Sequence, residues 1–336
     1  MRVAVVGATG VVGTTMLELL RSRNFPADEV VAFATARSAG RELQGGLVVR
    51  ALEPGADIEG FDLALFSAGA GTSREWAPRF VAAGATVVDN SSAFRRDPGV
   101  PLVVAEVNPH ALQRHSGLIA NPNCSTMQLM VALAPIHRAA RIERLVVATY
   151  QSVSGTGKKA IDELYEQSVA IINGTEPPAP QIYPDTIAFN VIGAAGNFAN
   201  GDDHTDEERK MMFETRKILE DESIGIAVTC VRVPVQVSHS EAVNVQTREH
   251  LSIDRVRELL SSAPGLALED VPTPMRAAGR DEVFVGRVRD DTSHPRAFSM
   301  WVVSDNLRKG AATNAVQIAE TLVARGLLGQ PAPSLG

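Results

Sequence analysis

A glycine-rich turn between a short strand and a helix opens the chain and limits the folds available to it. Residues 3–6 are β-rich and lead directly into the run GATGVVG at residues 7–13, after which apolar residues recur at helical spacing. Strand, glycine-rich turn and helix in this order favour a dinucleotide site, because glycines let the backbone approach a pyrophosphate at the helix N-terminus. The spacing is GxxGxxG rather than GxGxxG, which leaves a plain tight turn as the alternative.

The end of the second predicted strand, residues 30–34, indicates which dinucleotide would bind. Sites that prefer NAD usually carry an Asp or Glu at this point, where it binds the ribose 2′-hydroxyl. This sequence has TARS at residues 35–38, so a carboxylate is missing and Arg37 stands beside the hydroxyl of Ser38. An arginine and a hydroxyl suit a 2′-phosphate, whereas the alternative is an exposed loop arginine. The sequence therefore predicts NADP as the cofactor.

Strands and helices alternate through the first third of the chain. Strands are predicted at residues 62–66 and 85–89, with a helix between them that carries Trp76 and Phe80. Such alternation predicts a parallel sheet with covered faces, and the loops that follow its strands collect at the carboxyl edge, where ligands bind. Arg95 follows the strand at 85–89, so it is a candidate anion ligand at that edge.

The second half of the chain has a different pattern. Strands are predicted at residues 145–149, 226–235, 241–247, 283–289 and 297–303, which indicates a mixed or antiparallel sheet in a second domain. A final helix at residues 309–327 is expected to return and pack on the first domain. The predicted fold class is therefore α/β, with a dinucleotide-binding domain at 1–123, completed by residues 307–336, and an α+β domain at 124–306.

The motif NPNCST at residues 121–126 places a thiol at the start of a helix. Pro122 disfavours helical angles at Asn121, Asn123 is a good N-cap, and an apolar helical face follows. The unpaired N–H groups and the positive dipole end of the helix favour thiolate at Cys124, and thiolate is the nucleophilic form. The alternative is a small structural cysteine, which is the commoner role of a lone cysteine.

Other polar residues could complete a site around this thiol. Arg232 and Cys230 share one face of an apolar strand, and such an arginine must be paired or face a ligand, whereas Cys230 is assigned to the core. Pro234 predicts that the strand ends or bulges there. His239 is expected in the loop just beyond, where a solvated or capping histidine is the alternative.

A further candidate segment, TDEERK at residues 205–210, opens an amphipathic helix. Thr205 is a natural N-cap, and the acidic residues of the first turn match the helix dipole. Glu207 and Lys210 are neighbours on the helix surface, so the alternative to a functional role is a simple surface ion pair.

Charge and composition exclude several classes of function. The net charge of −7 gives no basic field for nucleic acid or anionic membrane, and no apolar run is long enough to span a bilayer. The two cysteines suggest no disulfide framework, and the histidines and acids lack metal-ligand spacing. We therefore expect a soluble cytoplasmic protein without a metal, a nucleic-acid partner or a membrane partner.

Seven motifs together closely resemble the aspartate-semialdehyde dehydrogenase family, in that family's order and over nearly the whole chain. They are GATGVVG, SSAFR, NPNCST, YQSVSGTG, TDEERK, RVPVQVSH and DNLRKGAATNAVQ. The resemblance implies a Rossmann-type NADP-binding domain and a catalytic and dimerisation domain. It also implies NADPH-dependent reductive dephosphorylation of L-aspartyl-4-phosphate to L-aspartate 4-semialdehyde, an early step toward lysine, diaminopimelate, threonine and methionine. The family is typically a homodimer or a dimer of dimers.

The resemblance also implies roles for individual residues. Cys124 would be the nucleophile and His239 the general acid/base. Gln151 would orient the acyl group, Arg232 would hold the substrate carboxylate and Glu207 would meet its amino group. Arg95 and Lys210 would bind the departing phosphate. The residues implied to line the cofactor are Thr9, Gly10, Val11, Val12, Arg37, Ser38, Ser154, Gly155 and Asn306.

One departure and three alternatives accompany this interpretation. Residues 192–198 carry glycine and alanine where relatives often carry proline, which leaves the shape of the loop before Glu207 open. N-acetyl-γ-glutamyl-phosphate reductase performs the same class of reaction, but its acetylated substrate has no ammonium for Glu207 to meet. In a glyceraldehyde-3-phosphate dehydrogenase Arg232 would have no role. A non-catalytic NADP-binding regulatory protein would be expected to lack the pair of Cys124 and His239.

Overall fold

The computed structural model describes residues 1–198 and 201–329, and the chain divides into two compact units. The N-terminal unit is Met1–Asn123 together with the C-terminal segment that begins at Ala311, and the C-terminal unit is Cys124–Gly310. Residues 330–336, the end of the segment that the sequence analysis adds to the first domain, lie outside the described residues. The boundaries and roles that the sequence analysis gives to its two domains stay predictions.

The N-terminal unit is built around a parallel sheet with helices on it. Its strands are β1 (Arg2–Val6), β2 (Glu29–Ala34), β3 (Glu42–Leu43), β4 (Leu47–Val48), β5 (Arg50–Ala51), β6 (Leu63–Phe66), β7 (Thr86–Asp89) and β8 (Leu118–Ala120). Its first two helices are α1 (Val11–Ser22) and α2 (Ala70–Ala82). The strand order is β5-β2-β1-β6-β7-β8, and β3 and β4 form a separate antiparallel pair. The parallel sheet with alternating helices is as predicted.

Two buried clusters hold this unit together on the two faces of its sheet. One joins Met16 and Leu19 of α1 to Ala319 and Leu322 of the C-terminal helix, Thr313–Ala324. The other contains Trp76 and Phe80 on α2, with neighbouring phenylalanines in edge-to-face contact. The C-terminal helix is shorter than the predicted 309–327, because a π-helical turn occupies Arg308–Ala312.

The C-terminal unit contains a mixed sheet with helices packed against it. Its strands are β9 (Ile142–Gln151), β10 (Gly225–Arg232), β11 (His239–Thr247), β12 (Leu266–Leu268), β13 (Val283–Asp290) and β14 (Ala297–Ser304). Its helices are α3 (Cys124–Ala140), α4 (Lys158–Ile172), α5 (Asp206–Leu219), α6 (Ile253–Ser261) and α7 (Pro274–Ala277). The strand order is β10-β9-β11-β14-β13-β12, with β9 parallel to β10 and antiparallel to β11. The predicted mixed sheet is confirmed.

Three predicted strands differ from the structure in ways that matter for function. The strand predicted at 226–235 ends at Arg232, in agreement with the expected break at Pro234, which has no N–H for a sheet. The strand predicted at 145–149 extends to Gln151. The prediction of a loop at His239 is wrong, because His239 is the first residue of β11 and pairs with Ser304 of β14.

Candidate active site

Three strand ends bring predicted site residues together at one edge of the mixed sheet. Gln151 is the last residue of β9 and is the register partner of Arg232, the last residue of β10. The antiparallel strand β11 begins at His239, and its next residue, Ser240, pairs with Tyr150. Residues far apart in sequence therefore converge because β9 is flanked by one parallel and one antiparallel neighbour.

These side chains line one pocket of about 460 Å³ within the C-terminal unit. The predicted site residues on its wall are Cys124, Gln151, Gly155, Glu207, Lys210, Arg232 and His239. A smaller cleft of about 280 Å³ lies beside α6 and β13, and none of the predicted site residues lines it. The larger pocket is therefore the candidate active site.

Cys124 is the first residue of α3 and is half-buried. The start of a helix stabilises a thiolate through its dipole and its unpaired N–H groups. Gly310 packs closely against it, since a Cβ built on Gly310 would lie 3.1 Å from the Cys124 Cβ atom. The second cysteine, Cys230, is buried with its Sγ 3.6 Å from Met211 Sδ, and burial raises the pKa of its thiol. The core assignment of Cys230 is confirmed.

His239 is buried, and contacts from Ser152 hold its ring at one nitrogen, Nδ1. The backbone N–H of Ser152 donates to its Nδ1 over 3.0 Å, and the Ser152 Oγ lies 3.1 Å from the same nitrogen. Burial, and then the charge of Arg232, lower the pKa of His239 to about 3, although the carbonyl of Ser238 acts in the opposite direction. His239 is therefore neutral in this structure.

Arg232 is also buried, and only some of its N–H groups are hydrogen-bonded. Its Nη1 donates to the Ser152 carbonyl over 2.6 Å, and its guanidinium carbon lies 5.7 Å from the centre of the Tyr183 ring. Its Nε has no hydrogen-bond partner among the residues that the structure describes. A buried guanidinium with a free N–H is suited to binding a carboxylate, because an anion would complete its hydrogen bonds.

The N-terminal part of α5 contributes both acidic and basic side chains to the pocket. Lys210 Nζ bonds Asp206 over 2.7 Å and Glu207 over 3.1 Å, so the predicted ion pair with Glu207 is present. Burial lowers the pKa of Lys210, but these two carboxylates outweigh it and the net shift is upward. The helix begins with the predicted cap at Thr205, in a reciprocal capping box with Glu208.

Gln151 connects this helix to the start of α3. Its Nε2 donates to Ser125 Oγ over 2.5 Å and to Glu207 over 3.3 Å. Gln151 is buried and held from two sides, so its amide is fixed beside Cys124 and Glu207 within the pocket. The sequence analysis did not single out Ser125, although it directly follows the cysteine.

A second polar network lies behind His239. Asn306 Oδ1 accepts from the Ser238 N–H over 2.8 Å and from the hydroxyls of Ser152 and Ser154 over 3.1 Å each. Ser238 has a positive φ of 78°, so this network holds the strained corner that turns the chain into β11. The structure thus joins Ser154 and Asn306, two residues predicted to line the cofactor. The sequence analysis missed Ser152, for which the only signal was the alternation of serines after Gln151.

The remaining predicted residues belong to the N-terminal unit. Thr9 and Gly10 lie in the turn from β1 into α1, and Val11 and Val12 are the first residues of α1. Arg37 is exposed and Ser38 half-buried in a short 3₁₀ turn after β2. Arg95 is buried and donates from Nη2 to the Asn90 carbonyl over 2.9 Å. The pocket described above is lined by residues of the C-terminal unit, so none of these N-terminal residues lies on its wall.

The β1–α1 turn has the features that a pyrophosphate requires. Gly7 has φ +84°, and a Cβ on Gly13 would lie 2.2 Å from the Gly7 carbonyl oxygen, so the turn tolerates no side chain at Gly13. Gly10 caps α1 without a side-chain hydrogen bond, which leaves the first N–H groups of the helix for an anion. Because β2 and β6 flank β1 on opposite sides, this turn lies at the point where the strand order reverses.

The structure holds neither a metal-ion cluster nor a membrane span in its described parts. Within residues 1–198 and 201–329, no three His, Cys, Asp or Glu side chains are grouped as metal ligands would be. Over the same residues, no helix has the length and apolarity needed to cross a membrane.

Two family models match this chain. Residues 2–115 match the NAD binding domain of semialdehyde dehydrogenase, and residues 133–309 match the dimerisation domain of the same class. The chain is also 52% identical to aspartate-semialdehyde dehydrogenase from Aquifex aeolicus, over 97% of this chain and 99% of the relative. The enzyme of the same name from Streptomyces akiyoshiensis is 50% identical over 96% of this chain and 99% of its own length.

Solved structures agree with these relatives. The structure of aspartate semialdehyde dehydrogenase II from Vibrio cholerae complexed with ASA superposes with a TM-score of 0.92 at 48% identity, over 96% of this chain and 98% of that one. The enzyme with NADP from Candida albicans gives a TM-score of 0.76 at 25% identity, over 97% and 99%. Fold and matched domains define an NAD(P)-binding oxidoreductase of the semialdehyde dehydrogenase class. Within that class, the chain belongs to the aspartate-semialdehyde dehydrogenase family, which confirms the resemblance.

Proposed function

We propose that this protein reduces L-aspartyl-4-phosphate to L-aspartate 4-semialdehyde with release of phosphate, and catalyses the reverse reaction when phosphate is supplied. This reaction serves the biosynthesis of lysine, diaminopimelate, threonine and methionine. The observation that carries the proposal is the convergence of Cys124, Gln151, Glu207, Arg232 and His239 on one pocket. A thiol, an anion-binding arginine and a carboxylate are the groups that an acyl phosphate bearing an α-amino acid requires.

Cys124 is the nucleophile in this mechanism. Its thiolate attacks the acyl carbon and displaces phosphate to form a thioester, so that one difficult step becomes two easier ones. When bound, NADPH supplies the hydride that converts the thioester to the aldehyde. Gln151 orients the acyl group, and His239 acts as the general acid/base that transfers a proton when the aldehyde forms.

Each charged side chain of the pocket is assigned to an oppositely charged group of the substrate. Arg232 holds the α-carboxylate, because its buried guanidinium has an unsatisfied N–H. Glu207 meets the α-ammonium, and Lys210 binds the departing phosphate together with Arg95. An acetylated substrate would present no ammonium to Glu207, so this carboxylate favours aspartyl over N-acetylglutamyl phosphate.

NADP binding is assigned to the β1–α1 turn and to residues near the second strand. Thr9, Gly10, Val11 and Val12 contact the pyrophosphate, and Arg37 with Ser38 contacts the 2′-phosphate. Ser154, Gly155 and Asn306 complete the cofactor site. We also assign the C-terminal unit, which contains the whole of the matched dimerisation domain, to a homodimer interface, with a dimer of dimers as the alternative assembly. The cytoplasm is the proposed location.

The deciding experiment is phosphate-dependent reduction of NADP with L-aspartate 4-semialdehyde, compared with N-acetylglutamate 5-semialdehyde and with NAD. We expect turnover with the aspartate compound and NADP. The Cys124→Ser variant should lose turnover and keep NADP binding, whereas Cys230→Ala, which changes the other cysteine, should keep both. Turnover with only the N-acetylated compound, or substantial turnover by Cys124→Ser, would contradict the proposal.

A further inference from the structure

Asn121, the residue directly after β8, is completely buried in the N-terminal unit, and both polar atoms of its side chain are hydrogen-bonded. Its Nδ2 donates to Asn90 Oδ1 over 2.7 Å and to the Ala311 carbonyl over 3.0 Å. Its Oδ1 accepts from Asn314 Nδ2 over 2.6 Å. Both N–H groups of the Asn121 amide are therefore used, and its oxygen has a donor.

Backbone groups fix the direction in which these amides bond one another. The Ala105 N–H can only donate, and it bonds Asn314 Oδ1 over 3.0 Å. Asn314 must then turn its Nδ2 toward Asn121 and toward the Val103 carbonyl, which lies 2.9 Å away. At the other end the Ala311 carbonyl can only accept, so it requires the nitrogen of Asn121. Both ends thus select the same orientation of the two amides.

This asparagine chain, which consists of Asn90, Asn121 and Asn314, joins three segments of the N-terminal unit. Asn90 follows β7, Asn121 follows β8, and Asn314 lies at the start of the C-terminal helix. The backbone also holds Asn121, whose N–H donates to the Asp89 carbonyl over 2.8 Å. The carbonyl of Asn90 accepts from Arg95 Nη2. The place of Asn121 is therefore set by both its side chain and its main chain.

Asn121 lies close in sequence to the start of α3. Cys124 follows three residues later and is the first residue of that helix, and the intervening Pro122 restricts the backbone at Asn121 and at itself. Ala311, which accepts from the Asn121 side chain, directly follows Gly310, the residue that packs against Cys124. One buried amide thus holds the segment that leads into the thiol and the segment that continues from its closest neighbour.

We propose that Asn121 is a positioning residue for Cys124, and that its side chain, oriented by Asn314, fixes the thiol at the start of α3. This inference rests on the proposed function for its effect on turnover, whereas the reactivity of the thiol is independent of that function. A nucleophile must meet the acyl carbon at a defined distance, and a misplacement of about 1 Å can cost about 10²-fold in rate. The helix start also stabilises the thiolate only while the first turn stays intact around it.

Asn121→Ala removes all three side-chain hydrogen bonds and tests the proposal directly. The Cys230→Ala background is used, because it leaves Cys124 as the single cysteine. We expect kcat to fall about 10- to 100-fold and the alkylation of Cys124 by iodoacetamide at neutral pH to slow about tenfold. The KM for the semialdehyde should stay within about threefold, since Arg232 is held by β10 and not by this loop. Unchanged kcat and alkylation in a folded variant would overturn the proposal.

His115→Ala separates positioning from a general loss of stability. His115 is also buried in the N-terminal unit and joins distant segments, because its Nδ1 accepts from the Gly117 N–H and its Nε2 lies 3.0 Å from the Leu327 carbonyl. We expect both variants to unfold at lower urea concentration than the unmodified protein, but only Asn121→Ala to lose kcat and alkylation rate. Equal losses of kcat in the two variants would show that Asn121 acts through stability alone.

Asn314→Ala tests the orientation without altering the loop before α3. Without this donor the Asn121 oxygen is left unpaired, and the amide is no longer held in one orientation. We expect the same pattern as in Asn121→Ala with a kcat loss of about 3- to 10-fold, and no further loss when both are replaced, because residues in one network do not act additively. Additive losses would overturn the role of Asn314. If Asn121→Ala does not fold, the alkylation rate of Asn314→Ala decides the proposal.

The two proposals fail in distinguishable ways. If the unmodified protein turns over neither semialdehyde, the proposed function fails, and the alkylation rates of the variants still decide whether Asn121 positions the thiol. If turnover depends on Cys124 but Asn121→Ala keeps both kcat and alkylation rate, the function stands and the positioning proposal fails.

Discussion

Gly310 lies so close to Cys124 that a Cβ on Gly310 would be 3.1 Å from the cysteine Cβ and 3.4 Å from its Cα. Alanine at Gly310 must therefore displace the start of α3 by a few tenths of an ångström or more. Because displacements of about 1 Å can cost about 10²-fold in rate, we expect Gly310→Ala to lower kcat about 10- to 100-fold. Steady-state kinetics and the alkylation rate of Cys124 will measure the effect.

Gly225→Ala is the matched control for that substitution. A Cβ on Gly225, the first residue of β10, would meet its nearest neighbour at an ordinary 3.6 Å. We expect this variant to keep the kcat and the Cys124 alkylation rate of the unmodified protein. A Gly310→Ala variant that also keeps both would show that the cysteine is not held by this contact.

Lys210 should act on phosphate rather than on the carbon skeleton of the substrate. Its pKa is raised, because the charges of Glu207 and Asp206 outweigh burial, so its ammonium stays protonated through neutral and mildly alkaline pH. We expect Lys210→Ala to raise KM for phosphate at least about tenfold in the oxidative direction, since a charge-assisted contact contributes about 1.5–3 kcal/mol. The KM for L-aspartate 4-semialdehyde should change less.

Lys158→Ala provides the comparison for Lys210. Lys158 also forms an ion pair with a carboxylate on its own helix, with its Nζ 2.6 Å from Asp162, but its side chain is largely exposed. We expect no change in either KM. If Lys210→Ala raises both KM values equally, or neither, its assignment to phosphate is wrong.

Arg232→Lys should weaken substrate binding although it keeps the charge. Arg232 holds the Ser152 carbonyl with Nη1 while Nε remains unsatisfied, and a lysine ammonium cannot bind two partners with the same fork geometry. We expect kcat/KM for the semialdehyde to fall about 100-fold, with KM raised. Arg209→Lys, which alters an exposed arginine paired with Asp202, should leave the kinetics unchanged. Unchanged kinetics in Arg232→Lys would rule out a bidentate role.

The sequence was sufficient for the features that local patterns encode. The β1–α1 turn, the start of a helix at Cys124 and the cap at Thr205 all follow from residue types at short spacing, and the structure contains each of them. The mixed sheet also followed, because the chain from residue 226 onward is mostly β-rich, although the helices α6 and α7 lie between its strands.

The register between distant strands could not be predicted in the same way. Gln151 and Arg232 are partners because β9 and β10 pair in parallel, and no local pattern links residues so far apart in sequence. His239 was expected in a loop because it lies just beyond the strand that Pro234 was predicted to end. Backbone pairing with β9 and β14 makes this segment a strand, and the bond from Ser152 to His239 depends on that pairing.

Glu241 should make the stability of the protein depend on pH. It lies two residues beyond His239 on β11 and is completely buried, and neither carboxyl oxygen has a hydrogen-bond partner among the described residues. Burial raises its pKa well above the ordinary value, and the nearby amide of Gln128 offsets this only in part. The folded protein thus keeps the proton at a pH where the unfolded chain has released it.

The sign of the effect follows from the proton balance. Above the ordinary carboxyl pKa of about 4.3, unfolding releases a proton from Glu241, so its contribution to the free energy of unfolding falls as pH rises. The fall is about 1.4 kcal/mol per pH unit until the pKa of the folded state is reached. Glu241→Gln keeps the shape and cannot ionise, so the free energy of unfolding of this variant relative to the unmodified protein should increase with pH. Urea unfolding of both proteins from mildly acidic to mildly alkaline pH measures this difference, and a constant difference would mean that Glu241 is ionised in the folded protein.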